Sequence, residues 1–167
     1  MIILGIDPGT AITGYGVIEA QGNSYKVLEY GVIRSSNRQE MARRLDEIYQ
    51  GSSRIIDLYT PDSMAIEELF FNKNVKTALS VGQARGVLIL SAYQKGIPVY
   101  EYTPLQVKQA VVGYGRAEKQ QVQFMVKALL NLQEIPYPDD AADALAIAIC
   151  HSNFCFSGLG RRRESLD

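Results

Sequence analysis

Cysteine is scarce in this 167-residue chain. The two present, Cys150 and Cys155, have a spacing that suits neither a zinc knuckle nor a redox pair, so both are expected to be reduced thiols in a reducing compartment. Histidine is scarcer still, with His151 alone. Net charge is almost absent: 17 Lys and Arg against 18 Asp and Glu give −1, whereas nucleic-acid-binding domains are usually basic. That average hides any clustering. Four acids gathered in one metal site would carry −4 of the total and leave +3 on the rest, available for the rim of the site. Long apolar runs are missing too. Stretches such as GVLILSAY break off well short of a membrane span, and Met1 runs straight into a strand with no basic leader, so a cytoplasmic protein without membrane contact is expected.

What the chain does have is 47% hydrophobic residues, enough for one full core and too few residues for two ordinary domains. One domain over residues 1–156 is expected, followed by a basic tail, 157–167, whose sequence SGLGRRRESLD predicts disorder. Three β-rich segments open the domain: Ile2 to Asp7, Thr13 to Glu19 and Tyr25 to Arg34. Short turn-rich links between them predict an antiparallel meander. Met41, Leu45, Ile48, Ile55, Ile56 and Tyr59 then recur at helical spacing, up to a stop at Pro61. SMAIEELFF reads as a buried strand, NVKTALSVGQARGVLILSAYQKG as a long apolar helix stopped by Gly96, and PVYEY as a fifth strand. Thr103 and Pro104 supply an N-cap and a proline at the first helical position for PLQVKQAVV. After the loop GYGRAE come the helix AEKQQVQFMVKALLNL and an Ala-rich helix beginning DDAADALA.

With right-handed crossovers, this order predicts an α/β fold: a mixed five-stranded sheet, three antiparallel strands then two parallel, with helices on both faces. The first strand then lies in the middle of the sheet, where a carboxylate is expensive unless something pairs with it. Asp7 is such a carboxylate, in the segment GIDPGT. Asp-Pro-Gly is also good turn chemistry, with Pro8 fixing φ and Gly9 tolerating a positive one. AIEEL repeats the oddity with Glu67 and Glu68, which point to opposite faces of a strand, so that one of them faces Asp7. On the last helix Asp140 and Asp143 share a face, and Asp139 is placed to cap. Acids that converge without a cation repel and desolvate one another. A hard divalent ion relieves this. Oxygen donors suit Mg²⁺ or Mn²⁺, and two ions about 4 Å apart activate a water and stabilise the leaving oxygen of a phosphodiester.

ILGIDPGT with TGYGVI, AIEELFF, GQARGV, VKQAVVGYGRAEKQQVQ and DDAADALAIAI, in this order over about residues 1–152, resembles the RuvC family of Holliday junction resolvases, within the ribonuclease H and retroviral-integrase superfamily. The resemblance implies a ribonuclease H-like fold. It also implies a homodimer that nicks two opposed strands of a four-way DNA junction symmetrically, leaving 5′-phosphates and 3′-hydroxyls, in recombination and repair. Two Mg²⁺ ions per site (Mn²⁺ substituting) and coupling to the branch-migration proteins RuvA and RuvB are implied likewise. Position by position, the family's catalytic and metal-binding quartet falls on Asp7, Glu67, Asp140 and Asp143, leaving Glu68 on the other face and Asp139 as the cap. Phe70 matches the family's residue near the scissile step, and Lys108 and Lys119 its basic positions by the scissile phosphate.

Other DNA contacts are read from local chemistry. FFNKN joins an aromatic pair, Phe70 and Phe71, to Lys73, with Lys76 close behind. Base stacking on an exposed Phe is worth about 1–3 kcal/mol. Arg85, Arg116 and Lys127 are further candidates for the same groove, and Arg161, Arg162 and Arg163 for a grazing contact. Gly82 and Gly86 allow close helix approach, and the apolar excess of their helix points to a dimer interface. His151, eight residues beyond Asp143, is read as structural. GIDPGT is also similar to the phosphate-binding hairpin of sugar kinases and actin-like ATPases, but those need two lobes and a second Asp-Gly-rich hairpin. A non-catalytic junction-binding module and an RNA-directed nuclease of the YqgF-like kind are the remaining rivals.

Overall fold

The computed structural model describes residues 1–69 and 75–156. Five strands form one sheet: β1 (Ile2–Asp7), β2 (Ile12–Gln21), β3 (Ser24–Arg34), β4 (Ser63–Glu67) and β5 (Val99–Tyr102), in the order β3-β2-β1-β4-β5. β1 pairs antiparallel with β2 and parallel with β4, which pairs parallel with β5. This is the mixed sheet the sequence predicts. α1 (Met41–Tyr59) and α2 (Val75–Gln94) cover one face; α3 (Pro104–Val112), α4 (Lys119–Leu129) and α5 (Asp139–Phe156) cover the other.

Strand alternation sorts the side chains between these layers. Leu4, Ile6, Met64 and Ile66 pack with Ile48, Ile56 and Leu88 of α1 and α2, whereas Ile3 and Ala65 pack with Leu145, Ile147 and Ile149 of α5. Asp7 and Glu67 have the parity of Ile3 and Ala65, so both belong to the α5 face. They follow directly on the last β1–β4 pair, Ile6↔Ile66. Two carboxylates thus stand side by side at the carboxyl ends of two central parallel strands, where open α/β sheets place their ligands.

α5 lies unusually close to the sheet, and glycine makes that possible. A Cβ on Gly5 would stand 2.1 Å from the Ala144 carbonyl, and one on Gly14 1.9 Å from the Asp140 carbonyl. Ala141, Ala142, Ala144 and Ala148 complete the contact from the helix side, all essentially inaccessible. The capping predictions hold at α3, where Thr103 and Gln106 form a reciprocal capping box with Pro104 at the start. Gly96 ends α2 in the left-handed region at φ +70°.

Four expectations are corrected. β4 ends at Glu67 rather than continuing through Glu68 and Leu69, because β1 turns away at Pro8 and the four-residue β5 stops at the Thr103 cap, so neither neighbouring strand extends alongside it; Phe70 and Phe71 lie outside the described residues. Glu68 is therefore an exposed residue just past the strand, its amide bonded to the Tyr102 carbonyl at 2.8 Å. Gly9 does not have a positive φ. It is required for space, since a Cβ there would lie 2.2 Å from the Ile12 carbonyl. Asp139 lies inside the first turn of α5 and its carboxylate pairs with Lys119.

Candidate active site

Asp7, Glu67 and Asp143 line a cleft of about 240 Å³ together with Lys108 and Lys119, over an apolar floor of Val107, Val122, Ala146 and Ile147. Each functional side chain comes from a different element. β1 and β4 present Asp7 and Glu67, α5 presents Asp143 in its second turn, α3 contributes Lys108 and α4 begins with Lys119. Asp140 is set apart. It lies half-buried in the first turn of α5 and does not line the cleft, yet its charge acts on Asp7.

The electrostatics show the cost of this convergence. Burial, then the charges of Glu67, Asp143 and Asp140, push the Asp7 carboxyl up to about 8 despite the nearby Lys119. Glu67 is raised by burial and by Asp143, with Lys108 and Lys119 opposing. Asp143 is raised by burial, although Lys119 bonds it directly. Lys119 Nζ lies 3.1 Å from Asp143 Oδ2 and 3.2 Å from Asp139 Oδ2. Burial lowers the pKa of that ammonium, but its two carboxylate partners more than offset this and raise it. Lys119 is thus paired directly with two aspartates, while on Asp7 it acts only through its charge, and on Glu67 it does so together with Lys108.

The donor set is therefore all carboxylate oxygen, buried and short of positive charge, which is the chemistry of a site for a hard divalent cation. Among the described residues no three acidic, His or Cys side chains converge closely enough to hold one ion. The backbone brings Asp7, Glu67 and Asp143 to one cleft, and the Asp143 carboxylate is engaged by Lys119.

Of the other sequence candidates, Phe70, Phe71, Lys73 and the tail arginines Arg161, Arg162 and Arg163 lie outside the described residues. Lys76 is exposed in the first turn of α2 and Arg116 is exposed in the loop before α4; neither lines the cleft. Lys127 sits in the last turn of α4. Arg85 is turned to protein, with Nε 3.2 Å from the Glu67 carbonyl. His151 is structural as expected: it is buried, hydrogen-bonded with Ser63 Oγ at 2.9 Å and Tyr102 Oη at 2.7 Å, and burial lowers its pKa to about 4. Sequence reasoning missed Gly5, Gly14 and Gly16, which let α5 carry its acids up to β1. The signal was there in GYG, since glycine at alternate positions of a strand marks a close approach.

Comparison with known proteins agrees with this geometry. Residues 3–151 match the family model for the crossover junction endodeoxyribonuclease RuvC. The RuvC of Desulforamulus reducens is 63% identical over 161 residues, covering 96% of this chain and 99% of the relative, and that of Halothermothrix orenii is 63% identical over 153 residues, covering 92% and 93%. Among solved structures, T. thermophilus RuvC in complex with Holliday junction substrate superposes with a TM-score of 0.91 at 37% identity, covering 95% of this chain and 96% of that one. Sheet order, acid placement and near full-length identity lead to one assignment: the chain belongs to the RuvC family of crossover junction endodeoxyribonucleases.

Proposed function

We propose that this protein is a Holliday junction resolvase that works in the cytoplasm as a homodimer and nicks two opposed DNA strands symmetrically, using two Mg²⁺ ions per site. The observation that carries the reading is a cleft that Asp7, Glu67 and Asp143 line together with Lys108 and Lys119, with the Asp7 carboxyl pushed up to about 8 by burial and by Glu67, Asp143 and Asp140. Such a site is poor at holding bare charge and well suited to holding cations together with a phosphate.

When bound, Mg²⁺ supplies a water of lowered pKa and stabilises the leaving 3′-oxygen. Asp7, Glu67 and Asp143 are the residues that hold it, with Asp140 joining from the first turn of α5. Lys108 and Lys119, on opposite sides of the loop between α3 and α4, bind the scissile phosphate and neutralise its charge. The transfer of Lys119 from Asp143 to that phosphate is the event that frees the Asp143 carboxylate. The apolar floor of Val107, Val122 and Ile147 lowers the local dielectric, which strengthens every charge interaction above it. The products are a 5′-phosphate and a 3′-hydroxyl, ready for ligation.

Support for the homodimer comes from α2. Val75, Leu79, Leu90 and Tyr93 are between 47% and 78% exposed. With Gly82 and Gly86 they form one stripe at spacings of four and three residues. A Cβ on Gly86 would meet nothing within 4 Å, so that part of the stripe is open. Two copies joined along it give the two-fold arrangement that symmetric nicking needs. Handover of the junction from RuvA and RuvB is part of the same reading and rests on the family resemblance alone.

The test is a synthetic four-way junction incubated with and without Mg²⁺ or Mn²⁺, with nicks mapped on all four strands. Paired symmetric nicks that need metal are expected. Binding without cutting points to an inactive junction-binding module, and cutting only of linear DNA or RNA to another nuclease on this fold.

A further inference from the structure

The sheet holds Glu67 from one side only. The β1–β4 ladder stops at Ile6↔Ile66, while the β4–β5 ladder continues to Glu67↔Tyr102. On the other side the Glu67 carbonyl is taken up by a helix: Arg85 Nε, in the middle of α2, donates to it at 3.2 Å. The same guanidinium is anchored on β5. Its Nη2 lies 2.5 Å from Glu101 Oε2, one residue before the Tyr102 that pairs with Glu67. The Arg85 side chain is only 17% exposed, a depth at which a guanidinium needs partners. Nε hydrogen-bonds the carbonyl, while Nη2 meets the carboxylate as an ion pair without hydrogen-bond geometry; a rigid guanidinium spans the two groups better than a lysine ammonium on a flexible stem. Lys108 and Lys119 are the cations that bear on the Glu67 carboxylate; Arg85 grips the main chain.

We propose that Arg85 is a positioning residue of the active site, braced by Glu101 and holding the main chain of Glu67 so that its carboxylate stays beside Asp7. This rests on the reading of the cleft as a nuclease site, and it replaces the DNA contact that the sequence suggests for Arg85. The strand that carries Glu67 ends there with β5 as its one ladder partner, so a tie from α2 holds the Glu67 carbonyl on the side that the β1–β4 ladder leaves open.

Arg85→Gln, Arg85→Lys and Glu101→Gln should be compared with wild type on a four-way junction by single-turnover nicking at saturating Mg²⁺, with junction Kd measured in metal-free buffer and thermal melting alongside. Arg85→Gln is expected to nick about 10- to 100-fold more slowly once bound, the order of loss that a displacement of about 1 Å causes. Its metal-free Kd should stay within about threefold of wild type, since phosphate contacts set affinity. Arg85→Lys should recover part of the rate, and Glu101→Gln should lose less than Arg85→Gln in the same sense. A raised Kd with a wild-type rate of nicking in the bound complex makes Arg85 a phosphate contact and overturns the proposal, as does an unchanged rate and Kd. If Arg85→Gln does not fold, Glu101→Gln decides, because it leaves Arg85 in place; a wild-type rate there overturns the proposal. Failure of the wild-type protein to nick the junction at all refutes the nuclease reading instead.

Discussion

Replacing Asp7 with asparagine should make the metal-free protein more stable at neutral pH while abolishing its chemistry. The native carboxyl titrates near 8 and the unfolded one near 3.8, so across that interval the native state keeps a proton that the unfolded chain releases. Stability is fully present below about pH 4 and is lost as pH rises toward 8, where the native group also ionises. The slope is at most about 1.4 kcal/mol per pH unit, so from pH 5 to pH 7 wild type should lose up to about 2.7 kcal/mol relative to Asp7→Asn. For a chain of this size that is a Tm difference of about 5–10 °C. Glu67 and Asp143 are also raised and push both proteins in the same direction, so the difference between the two reports Asp7 together with its coupling to these neighbours. Thermal melts of both at pH 5, 6 and 7 in chelator measure it, and added Mg²⁺ should shrink the gap by favouring the ionised carboxylate of wild type. Parallel Tm profiles for the two proteins across that range would refute the argument that Asp7 bears the cost of the convergence.

Asp7→Asn, Glu67→Gln, Asp140→Asn and Asp143→Asn should each reduce junction nicking by about 10²-fold or more and leave gel-shift affinity close to wild type; wild-type nicking in any of them removes that residue from the ligand set. Glu68→Gln should nick normally, because Glu68 is exposed past the strand. Asp139→Asn should too, because it loses only an ion pair whose side chains are both more than half exposed. Leu79→Glu, in the middle of the exposed α2 stripe, should convert dimer to monomer by light scattering without lowering the monomer's melting temperature; an unchanged mass would place the interface elsewhere. Gly14→Ala forces a methyl against the Asp140 carbonyl, so α5 must shift outward; a cost of about 1–3 kcal/mol in Tm-derived stability and a loss of nicking are expected together. Full activity in Gly14→Ala would show that the close seating of α5 is not needed.

Sequence and structure agree most closely where local chemistry decides. The three-strand meander, the Thr103 cap, the stop at Gly96 and the acid in GIDPGT are set by residues adjacent in the chain. Agreement weakens where partners come from afar. The length of β4 depended on how far β1 and β5 run beside it, and no pattern within SMAIEELFF contains that information. The choice of Glu67 over Glu68 came from family resemblance at first, and the parity of Ala65 and Glu67 across the sheet supplies its physical reason. Arg85 looks like any helical arginine in GQARG until the fold brings Glu101 and the end of β4 against it.

By itself, the sequence determined the element order, the mixed sheet, the inventory of acids and the lysines that flank a glycine loop, because periodicity, capping and turn chemistry act over a few residues. Only the tertiary structure decided that the lysine at the start of α4 would sit between Asp143 and Asp139, that three strand glycines would admit α5, and that Asp7 would bear the repulsion of the whole group. Those outcomes depend on distances between elements, and such distances are fixed by packing the two faces of the sheet.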